Sequence, residues 1–151
     1  MKLFEPGAGA VEKFSRTFLS NFWPAVVTYD GETYASVEHA YQAAKTLDLD
    51  LRRAVREAPT GAAAKKKGQA IPSSKLRPDW PELKLQVMED LLRQKFAHAD
   101  LRAQLLATAP KRLVEGNTWG DTFWGVCKGS GSNHLGQLLM RIRAEMLCGT
   151  P

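Results

Sequence analysis

The 151-residue chain holds only two cysteines, Cys127 and Cys148, in neither a CxxC pair nor any metal-ligand spacing. That excludes a disulfide-stapled framework and a zinc module, and it predicts reduced thiols in a cytoplasmic protein that needs no metal. No apolar run approaches the ~18 residues of a membrane span, and the N-terminus lacks the basic-then-apolar order of a secretory signal. Neither a GxGxxG after a strand nor a GxxxxGK[ST] is present, so dinucleotide-fold and P-loop mechanics have no support. Internal repeats and low-complexity linkers are missing too, so one domain over residues 1–151 is expected, its core at about 14–148. A chain of this length buries roughly 70% of the surface it would expose unfolded and needs no staple.

What is present begins with charge. Lys and Arg number 21 against 16 Asp and Glu, a net +5 that suits a phosphate-bearing ligand, either a nucleotide or nucleic acid. Many basic proteins bind neither. The sequence sets no oligomeric state.

Along the chain, the aromatic segment 18–23 ends at Pro24, and residues 25–29 and 32–34 around Asp30-Gly31 read as a β-hairpin. Asn21 lies between two aromatics, where a turn or an Asx hydrogen bond is the plain explanation. Ser36 is a plausible N-cap for a helix from residue 37 to about 47. On it Val37, Ala40, Tyr41 and Ala44 make the core face, and Glu38, Gln42 and Lys45 make an adjacent polar stripe. That stripe is either a solvated face or one that contacts a ligand. Glu38 and Lys45 start about 10 Å apart, enough to meet opposite parts of one molecule. Glu38 lies in the first turn, where the helix dipole favours its ionised form. His39 and His98 are expected to be hydrogen-bonded structural residues, and His134 is left open.

Residues 48–57 read as a second helix with Arg52, Arg53 and Arg56, and residues 62–69 as a third with Lys65, Lys66 and Lys67. This lysine run is a solvated surface or, alternatively, a phosphate contact. Asp79, Trp80, Pro81 and Glu82 look like a cap with proline in the first turn. Leu83, Val87, Met88, Leu91, Leu92 and Phe96 then keep the apolar stripe of a long core helix. Asp100 is expected to cap a helix through Ala107, residues 111–115 to form a short strand, and Leu135, Leu138, Leu139, Ile142 and Met146 to mark a final helix. Arg141 and Arg143 of that helix should point to solvent or a ligand. The fold class that results is mainly α, a multihelical domain with a small N-terminal hairpin and short strands.

Residues 116–136 stand apart. They hold two of the four tryptophans and six glycines, with no helical or strand period. Trp119, Phe123, Trp124 and Val126 argue against disorder, so an ordered site loop is expected. Asp121 lies close to Trp119 and Trp124, and Gly129, Gly131 and Asn133 precede the last helix. Aromatics stack on a base, and glycine-flanked N–H groups at a helix start hold phosphate. These parts suit a nucleotide-like glycoside, although tryptophan and glycine in a loop also serve packing and turns. Cys127 reads as a small buried hydrophobe.

Four segments in order resemble the NADAR family, the YbiA-like proteins. They are Phe18-Leu-Ser-Asn-Phe-Trp-Pro24, Tyr34-Ala-Ser-Val-Glu-His-Ala-Tyr-Gln-Ala-Ala-Lys45, residues 84–96 with their Met and Lys-Phe ending, and Asp121-x-x-Trp-Gly followed by Gly131-x-Asn-x-Leu-Gly136. The likeness runs from about Phe18 to Met146. It implies a mostly helical domain that cleaves N-glycosidic bonds without a cofactor. Its substrate would be a phosphoribosylated riboflavin-pathway intermediate or ADP-ribosylated guanine in nucleic acid. A module that binds ADP-ribose or a related nucleotide without turnover is the rival expectation. By the resemblance, Glu38 would contact the ribose or activate water, and Asp121 would orient the sugar or stabilise the cation. Lys45 would bind phosphate or act as an amine on the anomeric carbon. Trp124 would be the stacking wall and Asn21 and Asn133 polar positioners, with Phe22, Trp80, Trp119, Gly125 and Gly131 completing the substrate contacts. Asp121, Trp124 and Asn133 are expected to close over the polar stripe of the Glu38 helix.

Overall fold

The computed structural model describes residues 11–149. Its strands are β1 (Val11–Phe14), β2 (Pro24–Tyr29), β3 (Glu32–Ser36), β4 (Arg112–Asn117) and β5 (Val126–Cys127). Its helices are α1 (Val37–Ala44), α2 (Leu49–Arg56), α3 (Gly61–Gln69), α4 (Trp80–Lys95), α5 (Ala99–Ala107) and α6 (His134–Leu147), with a 3-10 turn at Ser73–Lys75. Two compact units result: residues 21–98, and a discontinuous unit of residues 11–20 with 99–149. No helix among the described residues is long and apolar enough to cross a membrane.

In the 21–98 unit the expected hairpin forms from β2 and β3. Asp30 at φ 47° and Gly31 at φ 79° both adopt the left-handed region, which the tight Asp-Gly turn requires. Ser36 ends β3 and caps α1, accepting the His39 N–H at 3.2 Å. Every residue of α1 is buried, because α2, α3, α4 and the hairpin all pack on it. The helix stops at Ala44, short of the expected 47. Thr46 bridges to Leu76, and the Arg77 N–H donates to the Lys45 carbonyl at 2.8 Å, so the chain here pairs with the connection after α3. Asp48 and Thr60 cap α2 and α3.

The cap expected at Asp79 does not form. Arg77 takes both carboxylate oxygens, at 2.8 and 3.1 Å, a charge-assisted pair that outcompetes a backbone N–H. Along α4 Val87, Met88, Leu91 and Leu92 are buried, as is Phe96 just after it, whereas Leu83 is only half-buried.

The discontinuous unit corrects the picture of β structure as little more than a hairpin. Here β1, β4 and β5 form a parallel sheet in the order β1-β4-β5. The first strand offers too little apolar alternation to be read, and the last is two residues inside the glycine-rich segment. The segment expected to lack secondary structure therefore gives residues to two paired strands. Leu113, Leu101, Leu105, Leu135, Leu138, Leu139 and Ile142 make the core of this unit. Asp100 lies inside the first turn of α5 and does not cap it. Arg143, expected outside, is buried and donates to Thr108 Oγ1 at 2.9 Å, while Arg141 is exposed.

Candidate active site

The 21–98 unit places Asn21, Phe22, Glu38, Lys45 and Trp80, and the other unit holds Trp119, Asp121, Trp124, Gly125, Gly131 and Asn133. On α1 the polar stripe is not solvated. Glu38 and Gln42 are 7% and 4% exposed, and the Gln42 Nε2 donates to Glu38 Oε1 at 2.8 Å. Burying a carboxylate is costly unless it is hydrogen-bonded, and the Gln42 amide supplies such a bond. The first turn is fixed from outside as well: the Glu38 N–H donates to the Asn21 carbonyl at 3.0 Å. Asn21 Nδ2 meets Met88 Sδ at 3.5 Å, and its Oδ1 is buried with no hydrogen-bond partner among the described residues.

Lys45 is half-buried at the end of α1, its Nζ 5.6 Å from the centre of the Tyr41 ring. Burial pushes its pKa below the usual lysine value, Lys65 and Lys84 push the same way, and Glu38 opposes them. Trp80 meets Tyr41 at a tilt of 58°, with ring centres 5.1 Å apart. Phe22 is exposed and lies against Gly61 at the start of α3, where an added Cβ would stand 3.0 Å from the ring. In the lysine run Lys66 and Lys67 are exposed and Lys65 is half-buried. His39 is structural as expected, with its ring between Ser36 Oγ at 2.7 Å and the Ala58 carbonyl at 3.0 Å.

The loop of the discontinuous unit is built on Asp121 and Asn117. Asp121 Oδ1 accepts the N–H groups of Phe123 and Trp124 at 3.1 and 2.9 Å. Asn117 accepts the Asp121 N–H at 3.0 Å and donates to its carbonyl at 2.8 Å. Phe123 meets Trp124 edge-on, with centres 4.8 Å apart, and lies 4.4 Å from His134. Trp119 is 52% exposed.

The helix start does not offer the phosphate cradle that the glycines suggested. Ser132, His134 and Leu135 N–H groups donate to the carbonyls of Thr122, Phe123 and Trp124 at 2.8, 3.1 and 3.0 Å, and Asn133 N–H to Gly125 at 3.3 Å. Asn133 itself adopts φ 53°, and its buried amide accepts from Glu115 N–H and donates to the Leu113 carbonyl, each at 3.0 Å. Gly131 at φ +151° sits where a Cβ would strike the Gly125 carbonyl.

One residue escaped the sequence reading. Glu115 is buried on β4, accepts from Asn117 Nδ2 at 3.1 Å, and lies where a Cβ on Gly125 would collide with its carboxylate. The signal was available: Leu113, Glu115 and Asn117 alternate on one face, so the strand period runs two residues past the expected end. Among the described residues no three His, Cys, Asp or Glu side chains group as a metal site.

The carboxylate stripe of α1 and the Asp121-Trp124 loop fall inside the segment, residues 10–147, that matches the family model described as the NADAR domain. The chain belongs to the NADAR family. It is 45% identical over 131 residues to the N-glycosidase YbiA of Escherichia coli K12, covering 84% of this chain and 79% of that one. A riboflavin biosynthesis protein of Vibrio vulnificus is 37% identical over 131 residues, which is 85% of this chain and 35% of that longer one. The NMR structure of the E. coli YbiA protein superposes with a TM-score of 0.75 at 43% identity, covering 87% of this chain and 79% of that one. The NADAR fold, with its mixture of helices and two small sheets, is therefore shared with that protein.

Proposed function

We propose that this NADAR protein is a cytoplasmic N-glycosidase that hydrolyses a base–ribose bond without a metal or other cofactor. The observation that carries it is the buried Glu38 carboxylate, held by Gln42 in the first turn of α1 with Lys45 farther along the same stripe. A 45% identical relative bears the name N-glycosidase. Breaking an N-glycosidic bond builds positive charge on the ribosyl carbon, which a fixed carboxylate stabilises as that charge develops. In this proposal Glu38 does this or takes a proton from the attacking water.

Lys45 has two candidate roles. As a point charge it would bind substrate phosphate. As an unprotonated amine it would attack the anomeric carbon while the bond to the base breaks. The bond's electron pair leaves with the base, and water then frees the ribosyl group. The lowered pKa of Lys45 favours the amine.

Asp121 is the second carboxylate of the proposal, stabilising the cation or orienting the sugar, and it also holds Trp124 in place as the wall on which a base stacks. Asn21, with its unsatisfied buried oxygen, and Phe22, Trp80, Trp119, Gly125, Gly131 and Asn133 complete the proposed substrate contacts, the last three by shaping the loop.

The substrate is proposed to be ADP-ribosylated guanine in nucleic acid or a phosphoribosylated riboflavin-biosynthesis intermediate. The net charge of +5 leans toward the first, and the Vibrio relative's name toward the second. Release of free base from each substrate, in wild type and Glu38→Gln, tests the proposal. A module that only binds ADP-ribose would bind equally in both proteins and release nothing.

A further inference from the structure

Gly68 is an odd residue for its place. It sits near the end of α3 among alanines and lysines, in helical backbone, where glycine costs about 1 kcal/mol relative to alanine. Its reason is Gln42. A Cβ at Gly68 would lie 2.6 Å from Gln42 Cδ and 2.7 Å from its Cβ, and closer still to Oε1. The Gln42 side chain therefore lies flat against the α3 backbone. Its Oε1 is buried with no hydrogen-bond partner among the described residues, and its Nε2 donates to Glu38. An ionised carboxylate only accepts, so the NH₂ end must face it. The Gly68 wall and the Glu38 carboxylate together leave the amide one orientation.

We propose that Gln42, seated on Gly68, is the positioning residue that holds the Glu38 carboxylate in one orientation as an anion. This rests on the reading of Glu38 as the group that works on the ribosyl centre. Several other charges lie around α1. Lys45 ends the helix, and Lys65 on α3 and Lys84 on α4 add positive charge on that side. From α2, Arg52 pairs with Asp30 and Arg56 with Glu32 of β3, near Tyr34, whose pKa is raised by burial. Arg77 binds Asp79 and Tyr29 of β2, His39 is turned to Ser36 and Ala58, and Lys95 of α4 is buried with its Nζ 5.0 Å from the centre of the Phe96 ring.

The test is a ¹³C NMR titration of the Glu38 carboxyl in the full chain, its resonance identified by loss in Glu38→Gln. Gln42→Met removes the donor at similar volume, and Gly68→Ala expels the amide from its seat. The midpoint is expected to rise by roughly one pH unit in each, with no further rise in the double variant, because Gly68 acts only through Gln42. The acid limb of the rate of base release should move by the same amount. A midpoint unmoved in Gln42→Met overturns the positioning role, whatever Gly68→Ala does to folding. A wild type that releases no base overturns the N-glycosidase reading instead, and the titration still decides the role of Gln42.

Discussion

The Asp121 carboxylate accepts the Trp124 N–H at 2.9 Å and the Phe123 N–H at 3.1 Å through one oxygen. The residue proposed to face the substrate is thus also the residue that shapes the aromatic wall. Hydrogen bond and charge are separable by substitution. Asp121→Asn keeps an acceptor oxygen and removes the charge, whereas Asp121→Ala removes both. Asn is expected to leave the thermal midpoint near that of wild type and to lower kcat at least about tenfold. Ala should in addition lose about 1–3 kcal/mol of stability, read by urea unfolding. An Asn variant with unchanged kcat would limit Asp121 to holding the loop.

Lys45 can be assigned by its conservative variant. Arginine keeps the positive charge but is not deprotonated in proteins and cannot serve as a nucleophile. Lys45→Arg is expected to bind substrate with little change in Kd and to lose at least about a hundredfold in kcat. Because burial lowers the Lys45 pKa, the wild-type rate should reach its alkaline plateau below pH 10.5. Retained turnover in Lys45→Arg, with KM changed only slightly, would assign Lys45 to phosphate binding.

Lys95 gives a pH signature in stability. It is fully buried, and desolvation lowers its pKa from 10.5 to about 7. Below about pH 7 both folded and unfolded chains carry the proton, and the full cost of burying the ammonium stands. Between about 7 and 10.5 the unfolded chain binds a proton that the folded one has released, so stability rises with pH. The whole span is worth about 5 kcal/mol at most. Lys95→Met should therefore be more stable than wild type at pH 6, with the gain shrinking toward pH 9 in urea titrations. A gain independent of pH would contradict the depressed pKa.

Much of the fold was legible because its local signals agree. The Asp30-Gly31 turn, the Ser36 cap and the apolar stripe of α4 each follow from residue type and spacing, and each appears where expected. Illegible parts depend on partners distant in sequence. β1 becomes a strand only because Val11 to Phe14 pair with Arg112 to Glu115, about a hundred residues away. The polar stripe of α1 reads first as a solvated face, since nothing local says that α3 packs against Gln42. The phosphate cradle at α6 failed for a similar reason: the carbonyls that occupy those N–H groups come from residues 122–125, and their direction is set by Asp121 and Asn117. Glu115 lay inside the expected strand, but its burial follows from β4's pairing with β1, where its partner is the distant Phe14.

The most direct measurement is base release by the full chain from ADP-ribosylated guanine DNA and from a phosphoribosylated pyrimidine intermediate, each with wild type and Glu38→Gln. Turnover of at least one substrate by wild type is expected, falling by at least about a hundredfold in Glu38→Gln with the fold intact. Equal turnover in the two proteins, or tight nucleotide binding with no base released by either, would contradict it.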